Sequence, residues 1–242
     1  MGRVRLDRAL SKLGGASRAE ASRLIAAGRV TVGGKVVSDP ARPVVPERDR
    51  LAIDGHAVRR RAWRMIALHK PRGVVTTRRD PEGRPTVFDV LGEASTGLVT
   101  VGRLDLATTG LLLLTTDTQL ANWLTDPANH IVRRYVVTAR GEVTDADAAR
   151  MAGGIDGLAA SEVHIRKRSA RETHLVVELT EGRNREVRRL FEGICREVVR
   201  LKRVSFGGFE LGELQPGEWR LIARPDVALA CPGARLSAAT PS

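Results

Sequence analysis

The sequence predicts an α+β protein: a small basic domain at the N-terminus, then a larger domain with a largely antiparallel mixed sheet and flanking helices. Beyond Trp63, short apolar runs with β-branched residues outnumber helical stretches and do not alternate with them regularly. Positive charge is concentrated at the start. Residues 1–61 hold 14 Lys and Arg against 6 Asp and Glu, a net of +8 out of the +12 carried by all 242 residues. Hydrophobic residues make up 42% of the chain and aromatic ones only 3%, so a real core is available and it must be mostly aliphatic.

In chain order, Leu6, Ala9, Leu10 and Leu13 recur at helical spacing, with Gly14-Gly15 as a stop. Arg5, Arg8 and Lys12 fall on a different face of that helix. A second helix is predicted from Ser17, which has capping-box spacing with Glu20, through Leu24-Ile25 to Gly28. The segment 30–37 then alternates around Gly33-Gly34 as a hairpin does, leaving Arg18, Arg23, Arg29 and Lys35 outside. Residues 59–64, opening on Arg59-Arg60-Arg61, read as a linker between domains at 1–58 and 65–231. In the second domain strands are predicted at 65–68, 74–77, 98–101, 111–115, 135–138, 163–165 and 175–179. Helices are predicted around 118–124, 145–152 and 184–193, and residues 232–242 read as a flexible tail.

Composition excludes several classes. Cys195 and Cys231 stand alone, and the five histidines are scattered, so neither a disulfide framework nor a metal site is expected. No signal core and no run of about 20 apolar residues is present. The expectation is a cytoplasmic monomer without metal or small-molecule cofactor and without a membrane partner. The basic start suits a polyanion, because each neutralised phosphate releases counterions.

The chemistry-bearing segment is Gly97–Asp117, GLVTVGRLDLATTGLLLLTTD. It reads as strand, loop, strand, with Arg103 and Asp105 presented between Gly102 and Gly110. An Asp in such a loop, taken alone, is more often a turn residue than a catalytic one.

The helix pair and hairpin, with the string SRAEASRLIAAGRVTVGGKVV, resemble the S4 RNA-binding domain. The segment GRLDLATTGLLLLTTD resembles the catalytic motif of RsuA/RluB-type pseudouridine synthases. Three further segments fit that family in order: Lys70-Pro71-Arg72-Gly73, Arg134-Tyr135-Val136-Val137, and Glu181–Leu190, EGRNREVRRL. The resemblance covers about residues 3–223.

The resemblance implies an enzyme that isomerises uridine to pseudouridine in ribosomal RNA or a pre-ribosomal particle. It makes Asp105 the nucleophile and Arg188 the cation that keeps it ionised, and it places Tyr135 against the uracil. Arg103 would fill the space left by the flipped nucleotide. Lys70 and Pro71 would shape the loop, Lys70 and Thr108 would also count among the substrate-binding residues, and Leu201 would pack under the base. RNA contacts would come from Arg5, Arg8, Lys12, Arg18, Arg23, Arg29 and Lys35 in the S4 domain, and from Arg183, Arg185 and Arg189. Two departures stand out: Ala107 where many relatives carry Asp, and Arg133 where Lys is frequent.

Within the family, Asp80–Asp89 and the Glu at 186 look closer to the RluB type, which points to large-subunit rRNA over small-subunit rRNA. A non-catalytic assembly factor with the same fold would be expected to lack Asp105 or Tyr135, and both are present. A nucleoside glycosidase would want a second carboxylate, for which Asp117 is the nearest candidate.

Overall fold

The computed structural model describes residues 2–13, 16, 18–46, 48–58, 62–234 and 236. The chain divides between Trp63 and Arg64 into two compact units. The Gly14-Gly15 stop, the Ser17 cap, the Arg59–Arg61 run and most of the expected tail lie outside the described residues.

In the N-terminal unit the apolar stripe folds as expected. Helices α1 (Leu6–Lys12) and α2 (Arg18–Ala26) bury Leu6, Ala9, Leu10, Ala21 and Ile25 against Val30, Val44 and Leu51. Strand β1 (Val4–Arg5) pairs with β4 (Pro43–Val44). Strands β2 (Val30–Val32), β3 (Lys35–Val36), β5 (Leu51–Ile53) and β6 (His56–Ala57) form an antiparallel sheet in the order β3-β2-β5-β6. Gly33 and Gly34 close its hairpin with φ of +60° and +82°, which a two-residue type I′ turn requires.

The larger unit is built on one nine-stranded sheet. Its strands are β7 (Met65–Lys70), β8 (Val99–Val101), β9 (Thr109–Thr115), β10 (Arg133–Arg140), β11 (Glu162–Arg168), β12 (Glu172–Leu179), β13 (Val198–Phe206), β14 (Phe209–Glu210) and β15 (Trp219–Leu221). The order is β11-β12-β10-β13-β9-β7-β15, with β8 on β9 and β14 on β13. Every pairing is antiparallel except β13 with β9. The four leucines Leu111–Leu114 are all fully buried, which explains why β9 shows no apolar–polar alternation: both of its faces are covered.

Helices α3 (Val87–Leu91), α4 (Thr118–Thr125), α5 (Asp145–Gly153), α6 (Glu186–Gly193) and α7 (Arg224–Ala230) flank the sheet. Asp117 caps α4, its carboxylate accepting from the N–H groups of Gln119 and Leu120 at 3.1 and 3.2 Å. It is therefore committed to a helix end and does not supply the second carboxylate a glycosidase needs.

Three sequence expectations need correction. Residues 74–77 form no strand; Val75 makes only an isolated bridge to Thr86, and the segment serves as a brace described below. Strand β13 was not anticipated, because Arg203 points inward and spoils the alternation of its sequence, VVRLKRVSF. Helix α7 opens with Arg-Pro-Asp, where Pro stands in the first turn and reads as a loop signal although that position tolerates it. Within the expected tail, the Gly233 backbone packs on Trp123 so closely that a Cβ would come within 3.1 Å of the indole.

Candidate active site

The Asp105 loop is fixed on both sides of the aspartate. Thr76 Oγ1 donates to the Leu104 carbonyl at 2.8 Å and accepts from the Leu104 N–H at 3.3 Å. The Gly73 N–H donates to the Leu106 carbonyl at 2.9 Å. The segment that follows Lys70-Pro71 thus grips the residues before and after Asp105, and the aspartate is held half-buried on a loop that cannot slide. The two ends of the loop turn at Gly102 and Gly110, with φ of +69° and +104°. Gly110 has a second reason to be glycine: a Cβ there would lie 2.1 Å from the Arg203 carbonyl oxygen.

Asp105, Thr108, Tyr135, Arg188 and Leu201 share the wall of a cleft of about 560 Å³, a volume suited to a small organic ligand. Arg103, Arg183 and Arg185 stand at the same cleft, all three exposed. Tyr135 is only 9% exposed, and β10 sets it beside Arg203 of β13 and Val177 of β12. Arg189 is exposed and does not line the cleft. Arg185 and Arg188 also line an adjoining groove of about 490 Å³ with Arg196, so the basic surface continues past the cleft.

Two cations act on Asp105. Burial pulls the Arg188 guanidinium below its ordinary range, neighbouring Arg185 adds to that, and the charge of Asp105 opposes it. Arg188 Nη1 donates to the Val198 carbonyl at 3.1 Å. The second cation is Lys70, which corrects the sequence reading. It is completely buried and absent from the cleft wall, so it is not a substrate contact. Its ammonium donates to the Pro71 carbonyl at 2.9 Å. Burial lowers its pKa to about 8, with Asp105 pulling the other way.

The inner wall of the cleft carries residues the sequence reading did not place there: Arg133, Arg203, Glu186 and Phe206. A register shift between Arg134 and Tyr135 skips Val204 on β13, so Arg203 and Phe206 face the same side as Arg133 and Tyr135. The Phe206 ring then meets both guanidiniums, at 4.9 Å from Arg133 and 5.0 Å from Arg203. Arg203 Nε donates to the Leu111 carbonyl at 2.7 Å. Burial pushes the Glu186 carboxyl up, while the Arg183 N–H, which it accepts at 3.1 Å, pulls it down. One signal was available for Arg133: two residues before Tyr135 on a strand, it must share the tyrosine's face.

The sequence model described as RNA pseudouridylate synthase matches residues 64–193, the span that holds Lys70, Asp105, Tyr135 and Arg188. The chain belongs to the RNA pseudouridylate synthase family. The S4 domain matches residues 4–49. Ribosomal large subunit pseudouridine synthase B of Pseudomonas aeruginosa is 45% identical over 238 residues, which cover 92% of this chain and 60% of that protein's length. The same-named protein of Escherichia coli (strain K12) is 42% identical over 226 residues, covering 89% of this chain and 78% of its own. A solved pseudouridylate synthase superposes with a TM-score of 0.66 at 26% identity, over 94% of this chain and 99% of the other.

In the S4 unit all seven basic candidates are exposed, and three of them are already paired. Arg5 and Arg18 reach the buried Asp7 at 3.2 and 3.5 Å, and Arg29 grips Asp54 at 2.8 and 2.5 Å. Arg8, Lys12, Arg23 and Lys35 carry no side-chain ion pair among the described contacts. Among the described residues no group of three or more His, Cys, Asp or Glu is arranged to hold a metal. No helix of the described residues is long and apolar enough to cross a membrane.

Proposed function

We propose that this chain isomerises one uridine of large-subunit ribosomal RNA to pseudouridine, as a cytoplasmic monomer without cofactor, and that Asp105 acts on the ribose. The observation that carries this reading is Asp105 on a loop braced at Leu104 and Leu106, in one cleft with Tyr135 and within the field of two cations. The relatives named as large-subunit synthases supply the choice of rRNA.

Isomerisation breaks the C1′–N1 bond, turns the uracil, and joins C1′ to C5; the C5 proton leaves and N1 gains one, so nothing is oxidised. The Asp105 carboxylate serves either as nucleophile at C1′ or as base in an elimination from the sugar, and in both routes it must be ionised. Lys70 and Arg188 are the cations whose charges interact with that of Asp105. Tyr135 stacks on the base and its hydroxyl assists loss of the C5 proton, while Leu201 packs against the ring. The nucleotide must leave its RNA helix first, and Arg103, exposed at the cleft mouth, takes its place in the stack. The S4 unit anchors structured RNA through phosphates and 2′-hydroxyls.

The test is pseudouridine mapping in large-subunit rRNA incubated with purified protein. Wild-type protein converts one uridine, and Asp105→Asn converts none while binding the RNA within about twofold of wild type. Unimpaired turnover by Asp105→Asn would overturn the assignment.

A further inference from the structure

We propose that Arg133 is a positioning residue for the reaction: it clamps the segment that delivers Arg188 to Asp105. This rests on the uridine-isomerising reading above. Arg133 is 4% exposed, and its guanidinium is surrounded by main-chain carbonyls from three parts of the fold. Nη1, with two N–H groups and one of them shared, donates to the carbonyls of Ile131 at 2.8 Å, Thr180 at 2.9 Å and Glu181 at 2.5 Å. Nη2 reaches the Leu124 carbonyl, in the last turn of α4, at 3.4 Å. Phe206 covers the guanidinium, and Gly182 lies against it: a Cβ there would stand 3.5 Å from Cζ.

Thr180 and Glu181 are where β12 ends and the chain turns toward α6. Six residues farther, that turn has delivered Glu186 and Val187 to buried positions and Arg188 to the cleft. The turn has little regular structure of its own, and its N-cap, Arg185, adopts a left-handed conformation with φ of +52°. Its carbonyls would be costly to bury without donors. One cation supplies them together, and the same strand carries Tyr135 two residues on. Arg133 therefore holds the Arg188 segment in register with the strand that presents the tyrosine.

Three carbonyls converging on a single nitrogen form a cage that an ammonium can also fill, since Lys offers three donors from one atom. Arg133→Lys should keep the clamp, and Arg133→Met should lose it. Gly182→Val provides a second perturbation of the same contact, because its Cβ would stand 3.5 Å from the Arg133 guanidinium carbon and leave the charge in place.

The experiment pairs amide hydrogen exchange over residues 180–190 with steady-state kinetics on a large-subunit rRNA transcript. For Arg133→Met and Gly182→Val the expected result is exchange at least about tenfold faster in 183–188, with the S4 unit unchanged. Turnover should drop by about 100-fold with KM moved less than about threefold. Arg133→Lys should restore both readouts to near wild type. Unchanged exchange in 183–188 of Arg133→Met and Gly182→Val overturns the clamp, whether or not the protein turns over RNA. A loss confined to KM, or one that Lys does not rescue, overturns the positioning role. Wild-type protein that makes no pseudouridine while the exchange result holds would count against the proposed reaction and not against the clamp.

Discussion

Lys70 and Asp105 are coupled through the interior of the protein: the lysine is completely buried at the end of β7, and the aspartate is the opposing charge that favours its protonated form. Across the sheet Lys70 stands opposite Gly110, the residue that closes the Asp105 loop. The cation is thus fixed by sheet register, and its charge acts on Asp105 from the protein interior while that of Arg188 acts from the cleft wall.

This placement gives a pH dependence with a defined sign. Lys70 has a folded-state pKa of about 8 against 10.5 for the exposed group, because burial disfavours the charge. Its burial therefore costs stability in full below pH 8, by about 3 kcal/mol, and the cost is relieved as pH rises from 8 toward 10.5. Thermal unfolding of wild type should show this contribution as a gain over that window, and Lys70→Met should lack it. Turnover should behave oppositely: above pH 8 the lysine loses its charge and Asp105 loses a stabilising neighbour. An alkaline limb near pH 8 is expected for kcat in wild type and not in Lys70→Met. The same limb in both proteins would remove Lys70 from the mechanism.

Gly110 gives a prediction on the fold itself. Its φ of +104° is strained for any L side chain, and a Cβ would meet the Arg203 carbonyl oxygen at 2.1 Å and its nitrogen at 2.7 Å. Those atoms belong to the parallel pairing of β9 with β13, where Gly110 faces Arg203. Gly110→Ala should lower stability by more than about 3 kcal/mol and shift the Asp105 loop, while Gly33→Ala in the hairpin turn costs about 1 kcal/mol. Chemical denaturation of the two variants checks the contrast.

Arg188 should act on the reaction far more than on affinity. Its guanidinium is partly buried, tied to the Val198 carbonyl and coupled to Asp105. Arg188→Met should reduce kcat by about 10²–10³-fold, the range typical of losing one preorganised charge-stabilising group. Binding of the rRNA transcript by filter assay should fall no more than expected for one phosphate contact.

The legible part of the protein was the part with a local signature. The α1 stripe, the Gly33-Gly34 hairpin and the strand–loop–strand around Asp105 follow from spacing, and the gathering of Asp105, Tyr135, Arg188, Thr108 and Leu201 in one cleft is what the family resemblance implies. What stayed hidden depends on tertiary environment. Lys70 shows no sign in the sequence of being buried. Arg203 escaped because a register shift on β13 brings it to the same aromatic ring as Arg133, and a shift of that kind has no signature in a single strand.

The S4 unit separates two kinds of arginine that the sequence reading grouped together. Burial would raise the pKa of Asp7, but the Arg5 side chain, the Arg8 N–H and the charges of Arg5 and Arg18 hold it below its ordinary value. Its contribution to stability is thus present above the unfolded carboxylate pKa and lost as pH falls through the folded one. Arg5→Gln with Arg18→Gln leaves Asp7 buried with the Arg8 N–H but without its two cations, so this pair should destabilise the unit, most visibly near neutral pH and less in acid. Arg8, Lys12, Arg23 and Lys35 have no such duty. Changing these four to Gln should leave the unfolding midpoint within about 1 kcal/mol of wild type. RNA affinity should weaken, and the slope of log K against log salt should flatten by about 0.7–0.9 for each residue that contacted a phosphate. A salt slope unchanged by the fourfold substitution would move the anchoring surface away from α1, α2 and the β2–β3 hairpin.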